Sequence, residues 1–132
     1  MKALTIILAW AYLFFSAGGP ELSFVGKRII NYGPVSEGDV ADAKFRIKNT
    51  GEGELLIITT IATCNCTSVK YPRHSLKSGE EADIVVTIDT KGKHGPETIV
   101  VRLLTNTDEK YSVIKVDIDV QEKSNESTTL KH

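Results

Sequence analysis

From Leu22 onward the chain alternates short apolar runs with turn residues, and its side-chain period is mostly two rather than 3.6. That pattern predicts an all-β protein. The alternation is clearest from Val40 to Asn49, where Ala41, Ala43, Phe45 and Ile47 share one face and Asp42, Lys44, Arg46 and Lys48 share the other. Burying the opposite register would desolvate four charges at several kcal/mol each, so this register is strongly specified.

The remaining segments follow from the same pattern. A first one covers Leu22 to Val25 and can run on through Arg28 to Asn31, until Tyr32-Gly33-Pro34 interrupts it; Ser36-Glu37-Gly38-Asp39 then turns the chain. After the Asn49–Gly53 turn, Glu54 to Ala62 holds Leu55, Leu56, Ile57, Ile58 and Ile61, the most continuous apolar run of this region, and predicts a central strand or one covered on both sides. Thr67 to Val69 is a short extended piece, and His74 to Gly79 is a loop that Leu76 can anchor. Ala82, Ile84, Val86 and Ile88 alternate again, Asp89 to Pro96 is a turn region, and Thr98 to Thr105 and Tyr111 to Val120 are the last two strands. In the last of these Tyr111 and Val113 lie on one parity and Ile114 to Val120 on the other, which a β-bulge near Val113 would reconcile. About seven strands in roughly 100 residues match an immunoglobulin-like Greek-key β-sandwich over residues 22–120, with a barrel as the competing closure. Residues 121–132 are polar throughout and read as a flexible tail.

The first 18 residues differ in kind. Lys2, the apolar run Ala3 to Phe15 and the small residues Ser16, Ala17 and Gly18 form the pattern of a secretory signal peptide. An uncleaved anchor is the alternative, but 13 apolar residues span only about 20 Å as a helix, against roughly 30 Å of hydrocarbon. The expected location is therefore periplasmic or secreted. Cleavage leaves 15 basic and 17 acidic residues, a balance that offers no electrostatic footprint for nucleic acid and no stable transmembrane span in the mature chain.

Candidate chemistry gathers at Cys64 and Cys66, the only two cysteines. In an oxidising compartment they can form a small disulfide, although an i,i+2 bond requires a tightly folded backbone. Two thiolates could instead hold copper or contribute to a zinc site with His74 or His94, or could exchange disulfides. C-x-C is not the C-x-x-C of thioredoxin-like enzymes, and no βαβ context accompanies it. No carboxylate pair sits in an apolar setting, and no nucleophile elbow, phosphate-cradling loop or EF-hand spacing is present, so no catalytic residue is assigned. Asn65-Cys66-Thr67 and Asn125-Glu126-Ser127 match the N-glycosylation acceptor pattern, which matters only in a eukaryotic secretory pathway.

Phe45-Arg46-Ile47-Lys48-Asn49-Thr50-Gly51, Leu55-Leu56-Ile57, Cys64-Asn65-Cys66-Thr67, Ser78-Gly79-Glu80 and Leu104-Thr105-Asn106 together resemble a bacterial family of secreted domains of unknown function, common in Bacteroidetes. Its familiar form reads F-x-x-x-N-T-G, then C-G-C-T, a P-G turn and a late T-N or S-N. This chain carries Asn65 where Gly is usual and Ser78 where Pro is usual. The resemblance implies an immunoglobulin-like domain similar to cilia-associated and major-sperm-protein-like domains, which act as binding or scaffold modules. The expectation is a noncatalytic module without cofactor whose partner is a protein or cell-envelope component. The alternative is a thiol-dependent metal-handling or redox protein using Cys64 and Cys66.

Overall fold

The computed structural model describes residues 18–122. The apolar run, residues 1–17 of the signal peptide, and residues 123–132 of the expected tail, with Asn125, lie outside the described residues.

Eight strands form two four-stranded sheets packed as a β-sandwich: β1 (Leu22–Phe24), β2 (Ile29–Ser36), β3 (Val40–Asn49), β4 (Ile57–Ala62), β5 (Thr67–Lys70), β6 (Glu81–Asp89), β7 (Gly95–Thr105) and β8 (Tyr111–Gln121). The first sheet has the order β1-β3-β6-β5 and the second β2-β8-β7-β4. The second closes neither on itself nor on the first, so the architecture is a sandwich and not a barrel. The chain crosses between sheets after β1, β2, β3, β4 and β6, a Greek-key path of the immunoglobulin type.

The β3 register is the one its charges demand. Ala41, Ala43, Phe45 and Ile47 are buried against Ile88, Val86, Ile84 and Ala82 of β6, which pair with them antiparallel. Outward, Arg46 and Lys44 each lie 3.6 Å from Asp83. These exposed pairs contribute little stability. Across the interior, Ile99, Val101 and Leu103 of β7 and Ile114, Val116 and Ile118 of β8 supply the other half of the core.

Several details depart from the sequence pattern. The first segment is two strands, giving eight and not seven: the chain breaks at Val25–Arg28, and β1 pairs antiparallel with β3 while β2 runs parallel to β8 in the opposite sheet. Tyr32-Gly33-Pro34 does not interrupt β2, because an edge strand absorbs the irregularity between Asn31 and Gly33 and a proline there removes no obligatory ladder bond. The apolar run ending at Ala62 is not central but an edge strand with an irregularity between Ile57 and Thr59, so Leu55 and Ile57 are buried while Ile58 and Ile61 are 53% and 56% exposed. Finally, β8 pairs with β7 without a register shift from Tyr111 to Val120, so no bulge occurs near Val113. Ser112 takes the inward position there and Tyr111 points out. The strand reaches Gln121, the first residue assigned to the tail.

Candidate functional site

Two places carry the residues that chemistry or recognition could use. The first is the link between β4 and β5, where residues 63–66 take the chain from the edge of one sheet to the edge of the other. Cys64 and Cys66 are joined there in a disulfide. The turn is tied on both sides: Thr67 N–H donates to Cys64 O at 3.2 Å, Asp89 N–H to Cys66 O at 3.0 Å, and Cys66 N–H to Cys64 Sγ at 3.2 Å. Both cysteines are half-buried and pack on the core, while Asn65 at the tip is exposed.

The metal alternative does not assemble. His74 sits on the β5–β6 loop with its Nε2 3.5 Å from Glu80, and His94 is an exposed residue of the β6–β7 turn. Among the described residues no group of three or more His, Cys, Asp or Glu side chains is placed to hold a metal ion. Replacing both cysteines by serine is therefore expected to cost about 0 to 2 kcal/mol, since so short a loop constrains the unfolded chain little. Denaturant unfolding of exported protein, beside a thiol titration that finds no free sulfhydryl, checks this.

The Asn49-Thr50-Gly51 motif is a second cluster, and its role is architectural. Asn49 stands on the inward parity of β3 and is fully buried. Its Nδ2 donates to Gly53 O at 2.8 Å and Leu76 O at 2.9 Å, and its Oδ1 accepts from Gly51 N at 3.1 Å and Glu21 N at 3.3 Å. One side chain thus fastens the N-terminal segment, the β3–β4 turn and the β5–β6 loop. Gly51 is required by close approach, because a Cβ there would stand 2.3 Å from the Gly19 carbonyl oxygen. Ser78 Oγ donates to Gly51 O at 2.7 Å.

The second place is the outer face of the β2-β8-β7-β4 sheet. Of the seven exposed large hydrophobic residues among the described residues, Ile29, Tyr32, Ile58, Ile61 and Tyr111 belong to this sheet, which singles it out from its partner. Pairing arranges three rungs: Thr59–Leu104–Tyr111, then Ile61–Arg102–Val113, then Val100–Lys115–Ile29. A partly apolar stripe with two exposed cations results. The exposed apolar residues of β4 were hidden by the expectation of a strand covered on both faces; the signal that could have revealed them was a run too long and too regular in hydrophobicity for one register.

Among the described residues no helix is long and apolar enough to cross a membrane. No curated protein matches the sequence. Residues 23–120 match the family model described as a protein of unknown function, DUF1573. Among solved structures, the chain is similar to a protein of unknown function from Porphyromonas gingivalis W83, with TM-score 0.67, 16% identity, and coverage of 80% of this chain and 49% of that one. It is also similar to a family 123 glycoside hydrolase from Clostridium perfringens, with TM-score 0.63, 10% identity and coverage of 82% and 28%. The ASH/PapD-like domain of human CEP192 gives TM-score 0.56, 10% identity and coverage of 81% and 87%. At these identities the likeness concerns the fold, and the chain spans about half or less of the two bacterial proteins.

Proposed function

We propose that this chain, which belongs to the DUF1573 family of proteins of unknown function, works as a noncatalytic binding or scaffold module in the periplasm or outside the cell. The observation that carries the reading is the exposed apolar residues concentrated on one sheet, since contiguous apolar surface on a folded domain marks interaction sites. Supporting it, the two sulfurs that the thiol-dependent alternative needs are bonded to each other, and the motif asparagine spends its side chain inside the fold.

The test is a photo-crosslinking residue placed at Tyr111 on the open face or at Lys44 on the opposite sheet of the exported full chain. Cross-links to protein from position 111 and not from position 44 are expected. Equal yields from both positions refute a dedicated face. Export itself is read by intact mass. The mature chain is expected to begin near Pro20, and recovery of Met1 in a membrane-bound form contradicts it.

A further inference from the structure

Strand β4 ends its sheet with an edge that carries no proline and no charge between Ile57 and Ala62. The other edges are protected: β2 contains Pro34, while β1 and β5 have three and four residues. Thr63 N–H donates to Val100 O at 3.0 Å, so by the antiparallel alternation Ile61 and Thr59 turn their backbone groups toward β7. Thr60 and Ala62 present theirs outward. The open frontage is bracketed. At one end Leu76 exchanges hydrogen bonds with Leu55 at 2.7 and 2.8 Å, occupying the position of a next strand, and at the other the chain turns away into the Cys64–Cys66 link.

We propose that this edge receives an extended segment of a partner protein, in which aliphatic or β-branched residues alternate with polar ones and acidic residues flank the pairing stretch. The proposal rests on the binding-module reading and supplies its partner chemistry. Backbone groups of Thr60 and Ala62 provide the pairing, and Ile58 and Ile61 the apolar contacts. The preference for acidic residues comes from the surrounding cations. Arg102 is the ladder partner of Ile61, Lys115 lies one rung away, and Lys70 and Arg73 belong to the neighbouring edge strand and the loop after it. None of the four is in an ion pair among the described residues, although Arg73 stacks 4.3 Å over the Tyr71 ring and donates to its hydroxyl at 3.1 Å. Of the carboxylates near the two ends, Glu80 lies 3.5 Å from His74 Nε2 and Asp89 accepts from the Lys91 amide at 3.1 Å, while the exposed Glu54 stands just before Leu55.

A second copy of the chain fits this edge less well. Symmetric pairing about Ile61 would set the Leu76 loop of each copy against the disulfide turn of the other and would gather like charges. It would also leave a frontage of only about 20 Å, short of what an interface burying roughly 1,200 Å² requires. A single extended strand needs only the frontage and the adjoining face.

The experiment uses the full-length exported chain and a fluorescent synthetic peptide of alternating valine and threonine closed at each end by glutamates. Controls are the same peptide with lysine ends, and one N-methylated on alternate residues so that it cannot pair. Anisotropy is expected to report binding that weakens at least tenfold with lysine ends and disappears with N-methylation, with slowed amide exchange at Thr60 and Ala62. The exposed substitution Ile61→Lys should abolish binding without lowering the melting temperature, and Thr60→Pro, at an amide facing away from β7, should do the same. Binding indifferent to N-methylation, or amide protection elsewhere, overturns the proposal. Concentration-dependent dimerisation that protects Thr60 and Ala62 without peptide overturns it in favour of a second copy. If no peptide protects these amides at saturating concentration while position 111 still cross-links to protein, the acidic-strand occupant fails and the binding module stands.

Discussion

Replacing Phe45 by alanine is expected to destabilise the domain by about 3 to 5 kcal/mol, through lost transfer free energy and the cavity left behind. Phe45 is 1% exposed at the middle of β3, opposite Ile84. It is the largest side chain in a core otherwise made of isoleucine, leucine, valine and alanine, and no tryptophan lies among the described residues to share its place. The adjacent Lys44→Ala should change stability by less than about 0.5 kcal/mol, because its ion pair with Asp83 lies at the surface. Urea unfolding of both variants decides the matter, and equal small effects would refute the buried register of β3.

The second large effect is expected at Asn49. Asn49→Ala removes the hydrogen-bond partner of the Gly53 carbonyl and of the Gly51 and Glu21 amides, while Leu76 O keeps the Leu55 N–H, and buried polar groups left unpaired cost about 1 to 3 kcal/mol each. Relaxation of the three segments and entry of water recover part of this, so a net loss of about 3 kcal/mol is expected. Asn49→Asp should be no better, since a carboxylate oxygen would replace the donor that faces Gly53 O and Leu76 O. The companion variant Gly51→Ala should displace residues 19–21, where its Cβ would collide with backbone. Hydrogen exchange provides a specific reading. The amide of Thr50, which donates to Glu21 O, should lose protection in Gly51→Ala while those of β7 and β8 keep theirs.

Asn49 also shows where reading the chain stopped short. It continues the inward parity of Ala41, Ala43, Phe45 and Ile47, so its burial was visible in the alternation. Its partners were not, because Glu21 and Leu76 lie 28 and 27 residues away and meet it only in the folded chain. Likewise, adjacency in sequence exposed the Cys64–Cys66 pair as a possible disulfide, but its position at the crossover between two sheet edges required the topology.

What the sequence determined by itself is local or nearly so. Charged and apolar residues two apart decide which face of β3 meets the core, glycine and polar clusters mark the turns, and the spacing of apolar runs points to an all-β sandwich. Tertiary structure alone decided which strand lies beside which. The break at Val25–Arg28 lets one short segment serve both sheets, with β2 parallel to a strand more than eighty residues later. The same apolar run that reads as a buried strand becomes an edge, because β7 covers one side of β4 while no strand covers the other beyond Leu55. The physical reason is that side-chain alternation records the environment above and below a strand, whereas hydrogen-bonded neighbours lie in the plane of the sheet, where backbone groups common to every residue make the contacts.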